Sequence, residues 1–159
     1  MCSLADLDCA AMRHGDRVPR GALQLYRRAF RLGHSYAAYA LGLAYKRSGR
    51  YRDSVQWFRR AHAAGDDASL LQIARAELYG IGTSRDPAAG LKKLLAVAND
   101  TDTTYYPAAS GENVEAMIEI ALALFGGWVL PRDYEGGRRW LRKAASFGSA
   151  TAKALLDER

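Results

Sequence analysis

The chain has 159 residues, of which 49% are hydrophobic and 25% charged, and its formal net charge is +6. That length suits one compact domain or one short repeat array, and the apolar fraction excludes a chain disordered by composition. The basic balance favours an acidic protein, nucleic acid or an anionic membrane as partner; because the charges are spread along periodic segments, they read first as a solvated, Arg-rich surface.

The N-terminal segment holds both cysteines, Cys2 and Cys9. On one helix they would stand about 10 Å apart along the axis, beyond the roughly 7 Å between Cα atoms that a disulfide tolerates. They predict no disulfide scaffold and fit a reducing compartment. No N-terminal apolar run reads as a signal peptide, so the cytoplasm is the default expectation. A bacterial lipoprotein trimmed to its cysteine, with a Met added, would also begin Met1-Cys2-Ser3, and a periplasmic lipoprotein is therefore the alternative.

Two kinds of helical segment then alternate along the chain. The first kind carries a large apolar residue followed by small ones: Cys9-Ala10-Ala11 weakly, then Leu41-Gly42-Leu43-Ala44, Ile73-Ala74-Arg75-Ala76 and Ile120-Ala121-Leu122-Ala123. The second kind centres on an alanine, at Ala29, Ala61, Ala98 and Ala144, with a glycine four residues on at Gly33, Gly65 and Gly148. Arg27-Arg28, Arg59-Arg60 and Arg142-Lys143 precede that alanine; the third copy is degenerate, with Ala96-Val97 before it and Asp102 in the glycine's place. Ala10, Gly42 and Ala74 are spaced 32 and 32 apart, as are Ala29 and Ala61 by 32, so two separate landmarks share one period.

Ala37, Leu41, Ala44 and Tyr45 follow helical periodicity, as Val55, Phe58 and His62 do approximately. Glycines at 33, 49, 65, 82 and 148 are placed to end helices, and Asp53, Asp86 and Asp133 to begin second helices, with Pro87 in a first turn. Antiparallel helices come close only where one side is small. Gly42, Ala74 and Ala121 on first helices, and the four alanines on second helices, allow that approach. Tyr26, Trp57, Phe58, Trp140 and Leu141 fill the gaps beside them. One such pair cannot bury its own apolar face, so the pairs stack, and the polar end Lys153, Asp157, Glu158 and Arg159 suits a terminal cap.

Leu41, Gly42, Tyr45, Tyr51, Phe58 and Ala61 resemble the tetratricopeptide consensus in type and order. Tyr79-Gly80-Ile81-Gly82 and the Trp-x-x-Lys/Arg-Ala-x-x-x-Gly ending are similar to the Sel-like repeat family. Asp66 departs from the pattern, which usually has proline there. The resemblance implies an all-α, right-handed solenoid of stacked antiparallel helix pairs: about four repeats plus a C-terminal capping helix, in a single domain over 1–159.

The period breaks once. From Ala29 to Gly42 and from Ala61 to Ala74 is 13 residues, but from Ala98 to Ala121 is 23. The ten extra residues lie within 99–111, a polar stretch with Tyr105 and Tyr106. Insertions in solenoids map to loops, and exposed tyrosines make good interface anchors.

No catalytic signature accompanies these repeats. His14, His34 and His62 lie in different repeats without a second ligand at helical spacing, so no metal or other cofactor is expected. Glu115 and Glu119 stand i, i+4 without a base or metal signal and read as a solvated helix face. Neither a phosphate loop nor a nucleophile elbow is present. The Arg pairs would stack into one stripe, but their aromatic neighbours read as core and Ala96-Val97 interrupts it, which disfavours nucleic acid. The disulfide-rich relatives linked to β-lactams carry cysteines that this chain lacks.

The resemblance places first helices on a concave side. Counting from the small residues puts Tyr36, Tyr39, Leu43 and Lys46 there in one repeat, Leu71, Arg75 and Leu78 in the next, and Glu115, Ile118, Leu122 and Phe125 in another. The expectation is a non-catalytic module that binds a protein partner with an acidic patch through this groove and the insertion. By analogy with the family it would be a bacterial immunity protein that neutralises a toxin, or else an adaptor of a signalling or secretion system.

Overall fold

In the computed structural model the chain is described over residues 19–100, 111–127 and 129–157. Helices account for its regular structure there: α1 (Arg20–Arg31), α2 (Ser35–Arg47), α3 (Tyr51–Ala63), α4 (Ala68–Tyr79), α5 (Pro87–Asn99), α6 (Glu112–Gly126), α7 (Tyr134–Ser146) and α8 (Ala150–Asp157). Alternating first and second helices match the alternation of the two sequence phrases. The first helix expected around Cys9-Ala10-Ala11, with His14, lies outside the described residues.

The helix ends follow the local chemistry. The Asp86 carboxylate accepts from the Ala89 amide at 3.0 Å, with Pro87 in the first turn of α5, and Asp133 accepts from the Gly136 amide at 2.8 Å. Each bond satisfies one of the amides that a helix start leaves unpaired. Asp53 sits in the first turn of α3 and pairs with Arg50 at 2.6 Å. Asp66, where a proline was the usual residue, accepts from both the amide and the hydroxyl of Ser69 and so begins α4. Gly33, Gly49, Gly65, Gly82 and Gly148 all have positive φ. At Gly82 the demand is doubled, because a Cβ there would stand 2.3 Å from the Tyr51 carbonyl oxygen.

The chain divides into two compact units, with the division falling inside α4 after Gln72. The first holds α1, α2, α3 and the start of α4, together with Ile81–Thr83. Its core is Ala22 and Tyr26 of α1 against Ala37, Ala40, Leu41 and Tyr45 of α2, with Phe30 and Trp57 at the edge. The second holds the rest of α4 and α5 to α8, and its largest buried side chains include Leu94, Met117, Ile120 and Leu141. Burying a side chain of that size stabilises by about 1.5–3 kcal/mol.

The small residues do what the spacing implied. Gly42 is buried against Phe58, its absent Cβ leaving room for ring carbons that would stand 2.5 Å away. The Ser54 hydroxyl donates to the Gly42 carbonyl at 2.8 Å across the same contact. Ala61, Ala74, Ala98, Ala121 and Ala144 are fully buried, whereas Ala29 is only half-buried. In the later pairs a further small residue stands on the second helix. A Cβ on Gly90 would meet the α4 backbone at Leu78 and Ala74, and one on Gly137 would meet the Phe125 ring at 2.5 Å. Two aromatics differ from expectation: Trp57 and Trp140 are half-buried, not core, because each lies beneath a basic side chain, Arg60 and Lys143 respectively.

The Gly42–Phe58 contact yields a test. Glycine inside a helix ordinarily costs about 0.5–1 kcal/mol relative to alanine. Gly42→Ala should nonetheless destabilise, by about 1–3 kcal/mol, because the ring must leave a packed site. Urea unfolding of Gly42→Ala, Phe58→Leu and the double variant forms a cycle, in which the double should lose less than the two singles together. A higher urea midpoint for Gly42→Ala would show that the ring yields freely.

Candidate binding faces

On α2 the residues 36, 39, 43 and 46 fall within one face, since they recur at i, i+3, i+7 and i+10. Tyr36 is 46% exposed and Lys46 is exposed, while Tyr39 and Leu43 are half-buried. The face is built from below. Tyr39 packs on Phe58 with ring centroids 5.7 Å apart, and Tyr36 leans on Tyr39 at 6.0 Å. Lys46 donates to the Gln72 side chain at 2.9 Å. The first unit thus presents a supported tyrosine pair with an apolar residue and an ammonium beside it.

The second unit presents a different surface. Arg75 is brought against both Glu119, at 3.1 Å, and Glu115, at 3.3 Å. The Tyr79 hydroxyl donates to the other oxygen of Glu119 at 2.6 Å. Spacing of i, i+4 on α4 and again on α6 sets these four groups on two facing stripes. Glu119 has only 17% of its side chain exposed, so it is no solvated carboxylate, as its sequence position suggested; Glu115, at 54%, is closer to that description. With one Glu119 oxygen accepting from Arg75 and the other from Tyr79, the arrangement holds the carboxylate in place.

Register decides the fate of two other expected groove residues. Leu71 and Leu78 are buried, at 1% and 0% exposure, and offer a partner nothing to touch. Counting from Ala74 placed them outward, but the outward stripe of α4 is Gln72, Arg75 and Tyr79, and each residue step turns a helix by about 100°. Phe125 is likewise buried, against Gly137, while Ile118 is half-buried and Leu122 is 43% exposed. The polar residues at 72, 75 and 79 were the signal that could have fixed this register. Tyr105 and Tyr106 lie outside the described residues.

The basic residues of the second helices are partly engaged. Arg27 donates to the Tyr45 hydroxyl at 2.6 Å and Arg59 to Thr83 at 3.2 Å. Arg60 covers the Trp57 ring, and Lys143 both covers Trp140 and donates to Asn99. Among the described residues no group of three or more His, Cys, Asp or Glu could hold a metal ion. Among them also, no helix is long and apolar enough to cross a membrane.

Burial, helped by the hydrogen bond to the negative Glu119, pushes the Tyr79 hydroxyl well above the usual tyrosine range, with Arg75 pulling weakly the other way. The folded state therefore holds this proton more tightly than the unfolded state. Its contribution is fully present below about pH 10, where unfolded tyrosine begins to ionise, and declines as pH rises further. Tyr79→Phe should cost about 1 kcal/mol near neutrality, the worth of a typical hydrogen bond. Urea unfolding at pH 7, 9 and 10.5 should show the gap between wild type and variant closing above pH 10. Curves that stay parallel would mean that the folded state holds the Tyr79 proton no more tightly than the unfolded state.

Comparison with known proteins shows what the chain as a whole resembles. The sequence profile described as Sel1 repeat matches at residues 9–34, 68–92 and 114–148. It passes over 35–67, although α2 and α3 pair there as helices of such a repeat do. Among solved structures, a Sel1 repeat protein from Oxalobacter formigenes superposes with a TM-score of 0.68 at 21% identity, over 87% of this chain and 54% of that one. The protective antigen c5321 of uropathogenic Escherichia coli, which displays an SLR fold, does so with a TM-score of 0.64 at 25% identity, over 85% of this chain and 27% of that one. The chain thus spans about half and about a quarter of the lengths of these two structures. No curated protein matches it. The fold class is the all-α solenoid, and the chain belongs to the Sel1 repeat family.

Proposed function

We propose that the protein is a non-catalytic binding module that takes a protein partner on the exposed face of α2. The observation that carries this reading is the supported tyrosine pair, Tyr36 on Tyr39 on Phe58, with Leu43 and Lys46 on the same face. Tyrosines held by packing lose little entropy on binding, and they give a partner both apolar area and a hydroxyl. Membership of a family of interaction repeats supports it. The reading drops Leu71 and Leu78, which are buried, and keeps Arg75 and Glu115 only as candidates on the second unit's own surface. A toxin-neutralising role and an adaptor role are two forms of the same activity, separated by the partner's identity.

Capture of the tagged protein from its native cells, followed by mass spectrometry, tests this. One stoichiometric partner is expected, and Tyr36→Ala/Lys46→Glu should weaken it by about tenfold or more, as truncation of an interface anchor does. A partner retained in full by that variant would remove α2 as the site. Capture of none, with a functional tag, would overturn the protein-partner reading.

A further inference from the structure

The net charge of the chain is not shared between its two units. The described part of the first, residues 19–72 and 81–83, holds ten Lys and Arg against three Asp, a net +7. The described part of the second, residues 73–80, 84–100, 111–127 and 129–157, holds ten against nine, a net +1. In the second unit bases sit beside acids, as in Arg75 with Glu115 and Glu119, Lys93 with Glu77 and Arg139 with Asp133. The described part of the first unit holds three acids, Asp53, Asp66 and Asp67, for its ten bases.

Its excess charge faces outward. Arg27, Arg28 and Arg31 of α1 are exposed, and so are Arg52, Arg59 and Arg60 of α3. On each helix the buried side, Tyr26 for α1 and Val55 and Phe58 for α3, points the other way. The helices are neighbours, since the Phe30 and Trp57 rings meet edge to face at 5.8 Å. Leaving aside Arg59, which is engaged by Thr83, the guanidinium groups of Arg27, Arg28, Arg31, Arg52 and Arg60 lie on the outward sides of these two helices, with Asp53, already paired to Arg50, as the acid on either helix. Folding confines these like charges together, which costs energy unless something neutralises them.

We infer that this α1–α3 surface docks an acidic protein segment, carrying carboxylates that the guanidinium forks grip in pairs. The inference rests on the protein-partner reading above and adds to it where the partner's charge is received. Planar arginine forks match carboxylates two bonds at a time. Arg60 already lies over the Trp57 ring, 4.7 Å from its centroid, which limits the freedom it has to lose. The same stacking argues against nucleic acid. Bases need an open aromatic face, and here Trp57 is covered by Arg60 while Phe30 meets it edge-on. The surface is also short: helices of 12 and 13 residues suit a peptide and give a phosphate backbone no long track.

The test uses the full chain and a fluorescein-labelled helical peptide of alanine and glutamate, with Glu at every third and fourth position. Oligothymidylate of equal charge and vesicles of mixed phosphatidylcholine and phosphatidylserine run in parallel. Arg28→Glu/Arg52→Glu should weaken peptide binding by at least about tenfold, the order expected from placing like charges across an interface. Arg139→Glu/Arg142→Glu, an equal change of net charge on α7, should weaken it by less than about threefold if position and not total charge decides. Thermal melts confirm that both variants remain folded. Equal losses in the two variants, no peptide binding, or tighter binding of oligothymidylate or vesicles would each overturn the inference. A native partner that the Arg28→Glu/Arg52→Glu variant keeps in full would overturn it while leaving the proposed function standing. Absence of any native partner would sink the proposed function while the peptide result still stood.

Discussion

The helices of this chain come closest where one of them carries a small residue, and the contact of Gly42 with the Phe58 ring shows what that makes possible. The ring occupies the volume that a Cβ would need. Phe58 in turn supports Tyr39, and Tyr39 supports Tyr36. The exposed tyrosine at the surface is thus the far end of a stack whose base is a missing methyl group. Gly137 against Phe125 repeats the device in the second unit, and Gly90 brings α5 onto the α4 backbone. Interiors packed at this density pass small changes of volume outward, so the exposed tyrosine face of α2 is coupled to the core beneath it.

Electrostatics then distinguishes the two units. Around Arg75, opposite charges are neighbours and each oxygen of Glu119 is satisfied, a well-paired polar cluster of the kind that fixes geometry. On α1 and α3 the arginines are held by aromatic and hydroxyl groups instead, as Arg27 is by Tyr45 and Arg60 by Trp57. A guanidinium tethered this way keeps its charge uncancelled. The contrast separates a cluster in which opposite charges meet from a surface on which basic charge is in excess.

Much of the fold was legible because repetition exposes it. A 32-residue spacing shared by two landmarks fixed the helix pairs, the glycines fixed their ends, and Asp86 and Asp133 fixed two of their starts. The faces were legible only in part. Tyr36, Tyr39, Leu43 and Lys46 do share one side of α2. The same counting failed on α4, where Leu71 and Leu78 are buried and Gln72 and Tyr79 stand in their place. A one-residue error in aligning degenerate repeats rotates a helix by about 100°, which is enough to exchange core for surface.

The sequence by itself determined that the chain is helical, that its helices pair, and which small residues lie between them, because those properties depend on local periodicity and on the volume of single side chains. Tertiary structure alone decided which charges meet. Arg75 and Glu119 are 44 residues apart, and Arg27 and Tyr45 are 18 apart. No spacing rule links such positions; their meeting depends on how one helix is rotated against another. Packing sets that rotation, and so it also decides which arginines are neutralised and which face outward.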